Sequence, residues 1–141
     1  MGGTNDSGVQ RGAWNSTDTS TFYGGLNVLI QKALKRFAGK PVLFCTPMPQ
    51  KGDYSQNVID PLSELNNKTD VQTLSLQLRA EAIKAKCRQY GVRCLDLYNT
   101  SGINGVDDNS VYYRINDTLH PSDTGQYRLG KLIQDELEKM F

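Results

Sequence analysis

Histidine is almost missing from this chain: His120 is the only one. The three cysteines, Cys45, Cys87 and Cys94, form no Cys-x-x-Cys pair, so the donor spacing of a structural zinc site is absent and no metal or cofactor is implied. Three is an odd number, so at least one thiol is free or pairs outside the chain. Cys45 lies in an apolar run and reads as a small buried hydrophobe. Cys87 and Cys94 bracket a helix-to-strand turn and read either as two buried thiols or as a disulfide. Charge of one sign is also lacking. Sixteen Lys and Arg face fifteen Asp and Glu, a net charge of +1. Nothing in that balance steers the chain toward nucleic acid or an anionic membrane surface. No apolar run approaches the ~20 residues of a membrane span. Met1 to Gly12 is Gly-rich and polar, which is not the pattern of a signal peptide.

What is present suits one folded domain over residues 1–141. The chain has 141 residues, 38% hydrophobic and 22% charged, enough to bury a sizeable core. Residues 1–20 are loop chemistry, rich in Gly, Asn, Asp, Ser and Thr. Phe22, Leu26, Leu29, Ile30, Ala33, Leu34 and Phe37 then share one face at helical spacing. Thr19, Ser20 or Thr21 caps that helix, and Gly39 follows its end. Lys32, Lys35, Arg36 and Lys40 read as a solvated basic end that suits the helix dipole. The run from Pro41 to Pro47 is continuously apolar and predicts a strand buried on both faces. Residues 47–69 read as a long loop. Asp70 is placed to cap a second helix running to about Tyr90, with Val71, Leu74, Leu78, Ala82 and Ala85 as its stripe, and Gly91 ends it. Val92 to Tyr98 reads as a second strand and 99–116 as another loop. A last helix begins near Ser122 or Asp123, its stripe formed by Leu129, Leu132, Ile133, Leu137 and Met140. Strands alternating with helices predict an α/β fold with a parallel sheet and right-handed crossovers.

Two short segments, one at each end of the chain, carry the candidate chemistry. Asp117 stands three residues before His120. A carboxylate on one imidazole nitrogen fixes the tautomer and stabilises the imidazolium, which leaves the other nitrogen to take a proton from a nucleophile. The plainer alternative is a turn at Asp117 and a helix start at His120-Pro121-Ser122. Asn5, in Gly2-Gly3-Thr4-Asn5-Asp6, has two readings as well. It is a turn residue that tolerates left-handed backbone, or an amide aimed at a developing oxyanion. Trp14, Tyr54, Tyr112 and Tyr113 either line an acyl or sugar pocket or cover the core. Asn15, Asn67, Asn99 and Asn116 each open an Asn-x-Ser/Thr pattern. A glycan on Asn116 would crowd His120, which favours a bacterial or phage source over a eukaryotic secretory one.

In order along the chain stand Gly3-Thr4-Asn5-Asp6, a helix, a strand ending in Thr46-Pro47, a helix, a strand with Asp96-Leu97-Tyr98, and Asp117-x-x-His120-Pro121. This order resembles the SGNH (GDSL-type) hydrolases. Gly3 to Asp6 looks like the third block of that family and Asp117 to His120 like its fifth. The stretch from Asp18 to Pro47 is similar to its bacterial and phage branch. The resemblance implies a flavodoxin-like three-layer α/β/α sandwich with strand order 2-1-3-4-5. It also implies serine-dependent hydrolysis of an ester, of a small molecule, lipid-like acyl group or acetylated carbohydrate. His120 would be general base and then acid, Asp117 its orienter, and Asn5 one oxyanion donor.

The chain departs from the family where the nucleophile belongs. No Gly-Asp-Ser-Leu-like block and no second-block glycine are present, and Asp6-Ser7 has no apolar strand before it to build a nucleophile turn. The chain therefore reads as an incomplete domain that lacks the N-terminal strands and is inactive alone. Two parallel strands do not make a stable sheet, so a complementing N-terminal segment or a homo-oligomer is expected as partner. The reading from a different class is a non-catalytic α/β module that binds a ligand or a partner.

Overall fold

The computed structural model describes residues 4–50, 61–104, 113, 115 and 119–141. The elements are α1 (Phe22–Arg36), β1 (Leu43–Cys45), α2 (Pro61–Asn67), α3 (Leu76–Gln89), β2 (Arg93–Leu95), α4 (Leu97–Thr100) and α5 (Asp123–Glu138). The fold is mixed α/β around a small parallel sheet. No helix among the described residues is long and apolar enough to cross a membrane.

Among the described residues the sheet holds two strands, β1 beside β2 in parallel register, with Leu43 opposite Arg93, Phe44 opposite Cys94 and Cys45 opposite Leu95. Alternation sends their side chains to two clusters. Phe44 and Cys94 pack with α1 and α3, against Phe22, Leu26, Ile30, Leu78, Ile83 and Cys87. Cys45 and Leu95 pack with Met48, Leu97, Ile103 and Leu129, the last from α5. The Thr46 amide donates to the Leu95 carbonyl at 3.0 Å. Backbone groups alternate sides along a strand, so those of Phe44 and Thr46 face β2 and those of Leu43 and Cys45 face the other edge. No described strand pairs with that edge. The expected burial of β1 on both faces is corrected accordingly: Leu43, Phe44 and Cys45 are only half-buried, because one flank is bare. All three thiols are free, with Cys87 fully buried and Cys45 and Cys94 half-buried.

α1 begins where Thr21 accepts from the Gly24 amide, satisfying an orphan donor of the first turn. Phe22, Leu26 and Ile30 of its stripe are buried. From Leu29 onward the expectation fails except at Ile30, because Leu29 and Phe37 are 54% and 51% exposed and Leu34 is exposed too. The helix is amphipathic along its full length, but the described chain covers only its first half. α5 behaves similarly: Ser122 caps it and Leu129 is buried, while Leu137 stands exposed.

The segment 61–75 departs most from its expectation. Residues 61–67, read as loop, form α2, with Pro61 in the first turn, where its missing N–H costs nothing. Leu65 anchors it in the core, and Glu64 pairs with Lys68 at 2.7 Å. Asp70 caps no helix. It accepts from Arg11 at 2.5 Å, and the Arg11 and Gly12 amides donate to the Gln72 and Asp70 carbonyls. Thr73 bridges Gln10. This local ladder draws 70–74 out of the helix, so α3 starts at Leu76 with Ser75 as its cap, and Val71 is 69% exposed rather than part of a stripe. Gly91, at φ +65°, ends α3 as expected. β2 stops at Leu95, short of the expected Tyr98, because the Asp96 carboxylate accepts from the Asn99 amide and starts α4.

The loop before α1 is pinned by buried cations. Lys86 is 0% exposed; its Nζ lies 3.6 Å from the Trp14 ring centroid, donates to the Trp14 carbonyl and reaches Gln89 Oε1 at 3.3 Å. Asn27 donates to the Trp14 and Ser16 carbonyls at 2.9 and 2.8 Å. Trp14 thus covers the core, stacked edge-on against Tyr23 at 4.8 Å, rather than lining a pocket. Burial pushes the Lys86 amine down to about 8 and the Tyr23 phenol up to about 12, from ordinary values of 10.5 and 10.0. Between pH 8 and 10.5 the unfolded chain holds a proton on Lys86 that the folded chain has lost, so stability rises with pH there. Between pH 10 and 12 the folded chain keeps a phenol proton that the unfolded chain has lost, so stability falls. In thermal melting across pH 7–12, Lys86 is expected to contribute a rise between about pH 8 and 10.5 and Tyr23 a fall between about pH 10 and 12. Lys86→Met removes the rising limb. Tyr23→Phe lessens the falling one, to which Cys45, raised by burial, Cys94, raised by the Cys87 thiol and by burial, and Lys84, whose burial is outweighed by Asp96 and Glu81, also contribute.

Candidate functional site

Three residues were singled out for the site. Asn5 is exposed in a turn at residues 4–5, just before the Asp6–Val9 turn that the Val9 amide closes by donating to the Asp6 carbonyl at 3.1 Å. The preceding Thr4 carbonyl accepts from Arg79 at 3.4 Å, which ties the turn to α3. His120 is exposed at the bend before α5; its carbonyl accepts from the Ile115 amide at 3.0 Å. Asp117 lies outside the described residues, as do Tyr54 and Tyr112. Ser7 is exposed in the Asp6–Val9 turn, with no strand before it among the described residues. Tyr113 is half-buried beside the Arg128 guanidinium, 5.8 Å from its ring centroid, and packs against the Met48 and Leu129 cluster.

Both turns lie toward the same end of the sheet. Asp6 shares a cavity of about 220 Å³ with Cys45, the last residue of β1. α5 runs antiparallel to β2. Near its carboxyl end Glu136 pairs with Arg93, the first residue of β2, at 2.5 Å. Nearer its amino end Arg128 donates to the Ser101 carbonyl, past the end of β2. The amino terminus of α5, and His120 just before it, therefore point beyond the carboxyl ends of both strands. In open parallel sheets that is where ligands sit.

A polar cluster that sequence reasoning did not single out closes the same end. Thr46, fully buried, accepts from the Tyr98 amide at 2.9 Å and donates to Asp96 Oδ1 at 3.4 Å. Asp96 Oδ2 accepts from Lys84 at 2.7 Å and from the Asn99 side-chain amide at 2.9 Å. Lys84 also pairs with Glu81 at 2.6 Å. Burial pushes the Asp96 carboxyl up, but the Asn99 and Lys84 donors outweigh it and hold it below the ordinary carboxylate range. A carboxylate so fully supplied with donors is a structural tie between β1, β2 and α3, not a base. The signal available in the sequence was positional: Thr46 and Asp96 are polar residues near the ends of the two predicted strands, and each follows the last residue of the observed one. Among the described residues no group of three His, Cys, Asp or Glu is placed to hold a metal ion.

No family model and no curated protein matches the chain. Its likenesses are to solved structures. One is a crystal structure of a protein from Lactobacillus plantarum, 26% identical, with a TM-score of 0.79 over 99% of this chain and 65% of that one. A second crystal structure is 28% identical, with a TM-score of 0.76 over 98% of this chain and 62% of that one. The chain thus spans less than two thirds of the length of either.

Proposed function

We propose that this chain is the carboxyl-terminal part of a serine-dependent ester hydrolase of the SGNH type, in which His120 is the proton carrier, Asp117 its orienter and Asn5 an oxyanion donor. One observation carries the reading: the Asn5 turn and the His120 bend both lie toward the carboxyl end of the parallel pair. The order of blocks along the chain supports it, as do helices packed on both faces of the sheet. The complete domain would be the flavodoxin-like sandwich, with strand order 2-1-3-4-5. The substrate is an ester of a small molecule, a lipid-like acyl group or a carbohydrate.

The chemistry follows from the side chains. A serine hydroxyl attacks the ester carbonyl while the imidazole of His120 takes its proton, and the Asn5 amide donates to the carbonyl oxygen as it becomes negative. The imidazolium then gives the proton to the departing alcohol. Water repeats the cycle on the acyl-enzyme, with His120 again as base and then acid. The Asp117 carboxylate stabilises the imidazolium and remains ionised throughout. The nucleophile is not read in these 141 residues, so the chain alone is expected to be inactive.

The test is turnover of p-nitrophenyl acetate by the chain alone and by the chain extended with the polypeptide encoded immediately upstream. Turnover is expected only from the extended form. Activity that survives His120→Ala overturns the assignment. Binding of acetylated carbohydrate by the extended form without turnover would favour the non-catalytic module, which the exposed, strandless setting of Ser7 also suits.

A further inference from the structure

A second groove, of about 360 Å³, runs along α5. Thr124, Tyr127, Arg128, Lys131 and Asp135 line it from the helix. Their spacing of three and four residues makes one stripe, about 16 Å long at the helical rise. Tyr113 and the half-buried Leu132 complete the lining. Rings, a hydroxyl, two cations and a carboxylate therefore share one surface. We propose that this groove is a carbohydrate subsite, which holds a neutral oligosaccharide as the sugar part of the ester substrate. The inference rests on the ester-hydrolase reading for the ester itself, and it names the substrate class of that site.

Three observations select that occupant. The first is place. The Ser122 amide donates to the Tyr113 carbonyl at 2.8 Å, and the Ile115 amide to the His120 carbonyl at 3.0 Å. The backbone of Tyr113 is thus tied to the bend that carries His120. A side chain at Gly125 would strike the Tyr113 carbonyl, so glycine there lets this segment sit against the first turn of α5. Thr124 heads the stripe in that same turn, so the groove begins beside the bend. The second observation is the rings. Tyr127 is 73% exposed, and Tyr113 lies beside the Arg128 guanidinium, 5.8 Å from its ring centroid. A sugar ring has a C–H face and a rim of hydroxyls. A tyrosine offers the first a flat apolar surface and the second a phenol that donates and accepts. The third is charge. Lys131 is matched by Asp135 at 4.0 Å and donates to Gln134 at 3.1 Å. Arg128 is engaged by the Ser101 carbonyl and the Tyr113 ring. A seat for phosphate groups or an acidic chain gathers several cations free of carboxylates, which this groove does not. An acyl chain needs a continuous apolar wall, and Thr124, Arg128, Lys131 and Asp135 interrupt this one. Hydroxyl groups both donate and accept, and so suit a wall that presents donors and an acceptor together.

Binding is measured by titration calorimetry on the full-length protein, apart from any turnover. The neutral probes are xylotetraose, cellotetraose and N-acetylated chitotetraose; dextran sulfate and decanoate stand for a polyanion and an acyl chain. At least one neutral tetrasaccharide is expected to bind. Tyr127→Ala, at an exposed position that leaves the core intact, is expected to weaken it about tenfold or more. Tyr127→Phe keeps the ring and is expected to stay within about threefold. His120→Ala stops turnover and is expected to leave sugar binding within about twofold, which separates the groove from the chemistry. The proposal is overturned if none of the three neutral probes binds, or if Tyr127→Ala binds them as well as the unaltered protein does. It is overturned too if only dextran sulfate or decanoate depends on Tyr127, which gives the groove to a polyanion or an acyl chain. Turnover of p-nitrophenyl acetate without sugar binding sinks this inference and leaves the ester-hydrolase reading in place. Tyr127-dependent sugar binding without turnover does the reverse: the groove stands and the hydrolase reading falls.

Discussion

Tyr23→Ala is expected to cost about 3–5 kcal/mol of unfolding free energy, the range for removing a large buried aromatic side chain. Tyr23 is 1% exposed and sits at the junction of the pinned loop, α1 and α3. Trp14 meets its ring edge-on at 4.8 Å, Phe22 lies 6.2 Å away, and the Arg11 guanidinium and Lys86 ammonium stand over it at 5.4 and 5.6 Å. Truncation removes the ring and withdraws the apolar face on which two cations rest, so the loss exceeds the transfer term alone. Domains of this size commonly have only ~5–15 kcal/mol in hand. With only two strands in the sheet among the described residues, the Tyr23→Ala chain is expected to be largely unfolded at room temperature. Tyr23→Phe keeps the ring and is expected to lose only about 1 kcal/mol. Urea denaturation followed by tryptophan fluorescence of Trp14 measures both. A cost for Tyr23→Ala below about 1 kcal/mol would remove Tyr23 from the centre of the core.

The second large effect concerns turnover in the extended chain. His120→Ala is expected to lower kcat about 10³–10⁶-fold, since the proton carrier acts in both halves of the reaction. Asn5→Ala removes one oxyanion donor and is expected to cost about 10²–10³-fold. Asp117→Asn leaves the imidazole but loses its orienter, with an expected cost of about 10⁴-fold or less. These effects do not add: once His120 is gone the carboxylate has nothing to orient, so the double variant is expected to match His120→Ala alone. Initial rates on p-nitrophenyl acetate decide this. A double variant far slower than His120→Ala would mean that Asp117 acts on something other than the imidazole. The folded state is a control, because His120 and Asn5 are both exposed and neither supports the core.

Much of the framework was legible without coordinates. The stripe of α1, the apolar run at 41–47, Gly91 and Ser122 each carry a local cause, whether helical spacing, continuous hydrophobicity, a left-handed stop or a capping hydroxyl. Those causes act within a few residues, so the elements stand close to where they were expected. The errors cluster where a distant partner intervenes. Asp70 has the chemistry of a cap, but Arg11, far away in sequence, claims its carboxylate. Residues 70–74 contain a helical stripe, but pairing with Gln10 to Gly12 holds them in a turn and a single bridge. α2 is too short for its periodicity to register, and burial of Leu65 secures it.

The site divides in the same way. Asn5 and His120 stood out by residue type and neighbours, the amide between glycines and acid, and the single imidazole after an acid. That their turns lie toward one end of the sheet depends on the direction of α5, set by the contacts of Glu136 with Arg93 and of Arg128 with Ser101. Sequence alone determined the cores of α1, α3, α5 and the two strands and which side chains have chemistry to offer, because those properties reside in single residues and their near neighbours. Tertiary structure alone decided that Leu34 and Phe37 stand exposed at the end of α1, that one edge of β1 is paired with no strand among the described residues, and that buried Lys86 pins the loop before α1. Each is a matter of which surfaces meet, and a surface is assembled from residues far apart in the chain.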